Sequence, residues 1–423
     1  MQRRWLDRLV FPMAMLAVLA ACGGCVTLRG EDMTVRIETP LSQDWRFHLG
    51  QPAGDPSQPG FDDAGWQAVA VPHTWNALGE YRIGRTTATR NTQGIGWYRR
   101  WLDWAMLPAR SRHLLQFDAV GNIADVWVNG RHAGRHAGAF SRFRFDITDL
   151  LRPGRNLIVV RADNSMPSPG STTEDVVPLK GDFFIHGGIY RDAALVSVGD
   201  AHIALDDHGG SGVYARTIEL DLEAATLEVH TRLSNLGMAG EATLRLRLLD
   251  ADGREIAEDA RPLRLVSGRS ESLQRLRVAS PRPWDGRRDP YRYRLVATLE
   301  SGGRVLDRIE QSIGLRTFRV DPDHGFFLNG RHLPLHGVSR HQDLLGRGWA
   351  LGEADHIRDM ALIAEMAPTA CASPPCCRGV SGNHAAIGST WWLVQVASRC
   401  SSKATRWCPR SMRSRWATRP SYR

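Results

Sequence analysis

The chain has 423 residues, which leaves room for two to four domains at about 100–200 residues each. Its 42% hydrophobic and 23% charged residues, with 41 Gly and 22 Pro, exclude a collagen, a coiled coil, wholesale disorder and a polytopic membrane protein. The net charge of +9 sits at one end: Glu365 is the last acid, nine basic residues follow it, and residues 1–366 balance to zero. The body therefore makes no electrostatic case for nucleic acid as a partner.

At the start, Arg3, Arg4 and Arg8 precede an apolar run from Leu9 to Ala21. That run is about half of a bilayer span, and its layout is that of a secretory signal. Leu19-Ala20-Ala21-Cys22 resembles the lipobox of bacterial lipoproteins, in which the cysteine becomes the lipidated first residue. The expectation is a lipoprotein-type signal peptide over 1–22, lipidation at Cys22, and export to the periplasm or outer membrane, with the membrane as a partner through the lipid. A plain signal peptide with an incidental cysteine fits the same residues. Cys22 and Cys25 also form a C-x-x-C, but no second pair follows. Positions 26–370 hold no cysteine, so the body has no disulfide framework and no thiolate metal site.

From about 35 to 316 the apolar pattern has period two, the mark of strands with one buried face. Ile158, Val160 and Ala162 alternate with Val159, Arg161 and Asp163. Leu244, Leu246 and Leu248 alternate with Arg245 and Arg247, and Leu227 and Val229 with Glu228 and His230. Asn129-Gly130, Asp252-Gly253 and Asn329-Gly330 are hairpin-turn dipeptides. The pattern predicts a mainly β protein of two sandwiches, 35–200 and 201–316, with Trp45, Trp66, Trp75, Trp97 and Trp127 in the sandwich core. Near 317 it changes. Leu333–Val338 reads as a short strand, and Asp355 opens a helix with Ile357, Met360, Ala361 and Ala364 on one face. Strand then helix is the start of an α/β domain.

Several short blocks recur in order: Asp44-Trp45-Arg46-Phe47; Phe61-Asp62-Asp63 with Gly65-Trp66; Val71-Pro72-His73-Thr74-Trp75-Asn76; Gly96-Trp97-Tyr98-Arg99; Val126-Trp127-Val128-Asn129-Gly130; Gly187-Gly188-Ile189-Tyr190-Arg191-Asp192; Gly314-Leu315-Arg316-Thr317; and Phe327-Leu328-Asn329-Gly330 through Gly337-Val338-Ser339-Arg340-His341. In order and spacing over 40–366 they resemble the family 2 glycoside hydrolases, the β-galactosidase, β-glucuronidase and β-mannosidase class. The resemblance implies a jelly-roll sugar-binding domain (35–200), an immunoglobulin-like sandwich (201–316) and a TIM barrel, of which 317–366 supplies only the first βα unit. It implies a retaining exo-β-glycosidase of the β-galactosidase type, acting on O-glycosidic bonds with one Glu as acid/base and another as nucleophile.

In the family both glutamates stand on late barrel strands. A barrel takes roughly 250 residues, whereas 107 follow Arg316 and the last 57 hold no carboxylate. No catalytic residue is therefore expected from this chain, which is expected to be inactive. A non-catalytic carbohydrate-binding lipoprotein is the alternative. The resemblance also matches Asn91 and Asp182 to residues that meet sugar hydroxyls, and His341 to the histidine after the first barrel strand that supports the transition state. By residue type alone, Asn91 also suits a turn, Asp182 an ion pair with Arg191, and His341 a hydrogen bond at a strand end. The implied partner is a carbohydrate, a β-glycoside leaning towards galactosides. No metal-ligand cluster is present and no cofactor is expected.

Where the family runs from this helix into a Gly-x-Asn-x-Val-Arg strand, the chain reads Ala367-Pro368-Thr369-Ala370-Cys371-Ala372-Ser373. One G restored after the Met366 codon, with C at free positions, gives codons for Gly-Ala-Asn-Gly-Val-Arg-Leu. Residues 367–423 are accordingly read as an out-of-frame, disordered tail. A genuine basic tail or insert has the same composition.

Overall fold

In the first sandwich the predicted period-two strands pair into two antiparallel sheets. The computed structural model describes residues 36–77, 93–107, 110–176, 185–366 and 370–372. The first sheet joins β1 (Ile37–Pro40), β10 (Ala193–Val198), β5 (Arg112–Phe117) and β8 (Phe143–Asp146) in that order. The second joins β3 (Gln67–Val69), β2 (Trp45–Leu49), β4 (Ile95–Asp103), β9 (Arg155–Asp163), β6 (Ile123–Val128) and β7 (Arg131–Ala137). Leu115, Phe117 and Leu195 of one sheet pack on Trp45, Tyr98, Val126, Ile158 and Val160 of the other. Each such buried side chain contributes about 1.5–3 kcal/mol relative to exposure. Asn129 and Gly130, both at positive φ, turn β6 into β7 as their sequence predicts.

The tryptophans divide between two layers rather than filling one core. Trp45 lies between the sheets. Trp66 and Trp97 instead pack with Leu157, Val159, Phe61 and Trp127 on the outer face of the second sheet. β9 is therefore buried on both faces, so its alternation does not separate core from solvent. Arg99, 1% exposed, causes this by stapling the segment 55–66 over the sheet. Its Nε donates to Asp63 at 2.7 Å, and its Nη atoms donate to the carbonyls of Gln58 at 3.1 Å and Phe61 at 3.2 Å.

The second sandwich sets β13 (Ala224–Asn235), flanked by β11 (Ala201–Ile203), β12 (Val213–Leu220) and β16 (Gly268–Ala279), against a sheet ordered β15 (Glu255–Leu265), β14 (Gly240–Leu249), β17 (Tyr293–Ser301) and β18 (Arg304–Ile313). Here the alternation holds: Leu244, Leu246 and Leu248 are fully buried while Arg245 and Arg247 are half-buried. Glu228, on the outer face of β13, is taken by Arg216 and Arg275, which hold its carboxyl below the usual range. An ion pair closes the seam between the sandwiches. Arg36 donates to both oxygens of the fully buried Asp307, at 3.1 and 2.5 Å, and to the carbonyl of Ile203 at 2.8 Å. Asp307 also accepts the Ile203 N–H at 2.8 Å.

The third region begins with a small sheet, β19 (Phe318–Asp321), β20 (Gly325–Leu328) and β21 (Arg331–His332), turned at Asn329-Gly330. Asn329 fixes it to the second sandwich, accepting from Thr317 N–H at 3.0 Å and donating to the Trp284 carbonyl at 3.0 Å. Then come β22 (Gly337–Ser339), α1 (Glu353–Glu365) and β23 (Ala370–Ala372). β23 pairs in parallel with β22, Val338 opposite Cys371, so a βαβ arrangement forms and includes three residues of the segment read as out of frame. The strand expected at Leu333–Val338 lies a few residues later. The buried stripe of α1 is His356, Met360 and Ile363, whereas Ala361 is exposed. The helix is turned from its expected face because Arg191 and Arg340 both reach His356. The protein is mainly β, two sandwiches with the start of an α/β unit, and no closed barrel is present among the described residues.

Candidate functional site

Cys22, Asn91 and Asp182 lie outside the described residues, as does segment 1–22, which the sequence reading takes as a signal peptide. The stems of the segments carrying Asn91 and Asp182 are described, and they meet at one buried point. Asn76 precedes the first segment. Its side-chain oxygen accepts the Gly187 N–H at 2.8 Å and the Asn164 amide at 3.3 Å. Asn164 in turn accepts the Gly94 N–H at 2.9 Å and donates to the Ile185 carbonyl at 2.9 Å. Gly94 follows the first segment, and Ile185 follows the second. Thr74 completes the hub, donating to the Gly187 carbonyl at 2.7 Å and accepting the Asn76 N–H at 3.1 Å. Both asparagines are at most 3% exposed. In such a setting an unmade hydrogen bond costs about 1–3 kcal/mol, so the hub fixes where both segments emerge. Gly187 is needed because a Cβ there would stand 1.8 Å from Trp75 Cζ2.

The loop carrying His341 comes to the same place. Gly348 approaches Ala77 and His186 closely enough that a Cβ would lie 3.2 and 2.7 Å from their atoms. Trp349 is buried against Phe140 and Tyr190 and stacks on His186, with ring centroids 4.8 Å apart. Burial pushes His186 down to about 4, so this ring is neutral near pH 7. His341 itself is exposed on the loop after β22. All three predicted sugar-contact positions thus belong to segments whose stems converge, although the side chain of only one is described.

Beneath this loop a polar latch joins the first sandwich to α1. Arg191 Nη1 lies 2.6 Å from His356 Nε2, and Arg191 Nη2 donates to Gln342. Arg340 Nη2 lies 3.0 Å from His356 Nδ1, while its Nε donates to Asp359 at 2.9 Å. His356 is driven down to about 4 by burial and then by the two guanidiniums, and so stays neutral. Gln342 and His356 take up Arg191, the residue that sequence reading offered as a partner for Asp182. Asp206 and Asp207, adjacent carboxylates in the sequence, are both engaged in the fold: Asp206 accepts from Arg269 at 2.7 Å, and Asp207 accepts from Tyr214 and pairs with Arg232.

Sequence reading left Thr74, Asn76, Asn164 and the Arg191–His356 latch without a role. Asn76 and Arg191 stand inside recognised blocks, which was the available signal. Asn164 had none. Among the described residues no group of three or more His, Cys, Asp or Glu gathers to hold a metal, and no helix is long and apolar enough to cross a membrane.

Comparison with known proteins fits this architecture. The profile of the glycosyl hydrolases family 2 sugar-binding domain matches residues 40–199, and that of glycosyl hydrolases family 2 matches 212–316. A β-glucuronidase of Bacteroides fragilis is 37% identical over 331 residues, covering 77% of this chain and 44% of the relative. A β-galactosidase of Bacteroides ovatus is 31% identical over 355 residues, covering 82% and 38%. Among solved structures, a Bacteroides uniformis β-glucuronidase superposes with a TM-score of 0.71 at 31% identity, over 79% of this chain and 39% of that one. The chain thus spans less than half the length of these relatives. With two matching domains in series and relatives in both activity classes, the chain belongs to glycoside hydrolase family 2.

Proposed function

We propose that the chain is the sugar-contacting portion of an exported, lipid-anchored retaining exo-β-glycosidase of the β-galactosidase type, and that it has no hydrolytic activity alone. The convergence carrying this reading is the Asn76–Asn164 hub, where the stems of the Asn91 and Asp182 segments meet beside the loop bearing His341. An amide and a carboxylate, the groups that Asn91 and Asp182 carry, suit a site that discriminates hydroxyl patterns. Both catalytic glutamates would come from later barrel strands, and the acid-free sequence after Glu365 supplies neither. Assays with nitrophenyl β-galactoside, β-glucuronide and β-mannoside test this. No turnover is expected, and turnover of any of them by the 423-residue chain refutes the inactivity.

The second reading, a non-catalytic carbohydrate-binding lipoprotein, is favoured by the latch, since α1 is docked on the first sandwich rather than left free. Sugar titration of Asn91→Ala and Asp182→Ala separates the two. The truncated-enzyme reading expects no measurable binding in the parent chain or in either variant, because half of the sugar's contacts would come from later barrel strands. The binding-protein reading expects both to abolish it. Sequencing the gene across codons 360–375, with a read of the other frame, decides the reading frame, and absence of a Tyr-Pro-bearing continuation in that frame would end the out-of-frame reading.

A further inference from the structure

At one end of the second sandwich two links between its sheets run side by side. Residues 236–239 join β13 to β14, and residues 266–267 join β15 to β16. β13 pairs with β16 so that Asn235 faces Gly268, and β14 pairs with β15 so that Gly240 faces Leu265. The links read Leu236-Gly237-Met238-Ala239 and Val266-Ser267, with no charged residue in either. Met238 is 94% exposed, Leu236 47% and Val266 46%. A single exposed aliphatic is ordinary on a protein surface, but three on adjoining links make a patch.

Polar bonds hold the patch out. Asn235, which is buried, donates to the Met238 carbonyl at 3.0 Å and accepts the Gly237 N–H at 3.0 Å. The Leu236 N–H donates to the Asp200 carbonyl at 3.0 Å. That last bond sets the patch beside the point where the chain enters the fold. β1 pairs with β10 so that Ile37 faces Ser197, which puts Arg36 next to Val198, two residues before Asp200. β1 then leads away from this end. Cys22, the expected lipidation site, precedes Arg36 by fourteen residues, a reach of at most about 50 Å. A lipid there would keep this end of the second sandwich close to a bilayer. The other end lies roughly 40 Å away along the twelve residues of β13. Its exposed Leu222 stands between Asp221 and Glu223, whose charges favour water.

We propose that this patch is a membrane-contact surface, with Leu236, Met238 and Val266 entering the headgroup–acyl boundary of a phospholipid bilayer. Entry removes aliphatic side chains from water. The Leu236 and Gly237 N–H groups and the Met238 carbonyl are already bonded within the protein, so they add little desolvation cost. Exposed Arg264 and Arg304 flank the patch together with exposed Glu241, a near balance of charge that leaves apolar burial as the driving force. The contact rests on the exported, lipid-anchored reading for its delivery to a membrane, but it forms without a lipid on Cys22. Where that lipid supplies attachment, the patch supplies orientation, since a flexible tether alone favours no face of the molecule.

The test mixes the full chain, without lipid on Cys22, with phosphatidylcholine vesicles that carry a photoactivatable acyl chain, and maps the adducts by mass spectrometry. Leu9 to Ala21 is itself apolar, so the place of contact is read rather than the bound fraction. Adducts are expected at residues 236–239 and 266–267, at least tenfold above those at 221–223 and 250–253. Met238→Asp should lower labelling of Leu236 and Val266 at least tenfold, and Leu222→Asp should leave it unchanged. Both positions are at least 90% exposed, so the variants keep their fold, which circular dichroism verifies. A chain that does not bind, adducts confined to residues 1–35, equal labelling of the two ends, or labelling unchanged in Met238→Asp would overturn the proposal. A dimer seen without vesicles and dissolved by Met238→Asp would also overturn it, by giving the patch to a second copy. The mass of the exported chain reports lipid on Cys22 separately. Its absence refutes the anchored reading, while adducts at 236–239 still support this one.

Discussion

The two sandwiches use the same kind of strands in opposite ways. In the second, one apolar face meets another and the outer faces carry charges that cancel pairwise, as Arg245 does with Glu258 and Glu300. In the first, the central strands are buried on both faces, segments are folded over the outer sheet, and buried amides tie loop stems together. The second is a spacer tied to its neighbours by a few polar contacts, Arg36 on Asp307 and Asn329 on the Trp284 carbonyl among them. The first spends buried polar groups and glycines on placing loops, a pattern that packing alone does not require.

The contrast can be tested by substitution. The largest effect is expected at the seam, where Asp307→Ala would strand Arg36 and the Ile203 N–H together. Breaking a buried pair from one side costs about 3–5 kcal/mol, read as a lower urea midpoint. A loss below about 1 kcal/mol would show that the sandwiches are not coupled there. Next, Gly187→Ala drives a methyl group into Trp75. Overpacking of this kind costs about 1–3 kcal/mol, and hydrogen exchange should show the loosening at residues 185–191 and not in β14 or β17.

Acid should act on the same side of the comparison. His73, His186 and His356 lie near 4 in the folded chain, against an ordinary 6.5. The unfolded chain therefore binds more protons between those values. The stability they contribute is whole above about pH 6.5 and is lost as pH falls towards 4, on the order of 1–2 kcal/mol per histidine by pH 5. All three lie in the first sandwich or its latch, so exchange protection there should decline before that of β14 and β17. Uniform decline would refute the assignment. The smallest effect is expected from Glu258→Gln, within about 1 kcal/mol because its pair with Arg245 lies at the surface. A larger loss in thermal unfolding would mean that the spacer's charges matter more than its core.

Local chemistry made part of this legible from sequence. Leu244, Leu246 and Leu248 announce their strand because β14 meets solvent on one side, and Asn129-Gly130 and Asn329-Gly330 announce turns because few other pairs tolerate positive φ at both positions. The Trp66–Trp97 layer was not separable from the inter-sheet core, since burial of both faces erases the difference between odd and even positions. The latch was hidden for another reason. Arg191 and His356 stand 165 residues apart, and a lone polar contact across that distance leaves no period in the sequence. The same holds for Asn76 and Gly187, 111 residues apart. The rotation of α1 follows, because its orientation is set by an arginine that its own sequence does not contain.

The Arg36–Asp307 contact also orders events in time. Its partners are 271 residues apart, so at a synthesis rate of about 5–20 residues per second the arginine waits roughly 15–50 s for its carboxylate to leave the ribosome. Until then the nascent first sandwich has an open flank beside β1. A translational pause between codons 200 and 307 would lengthen that exposure, and a chaperone that recognises early chains would find its opportunity there.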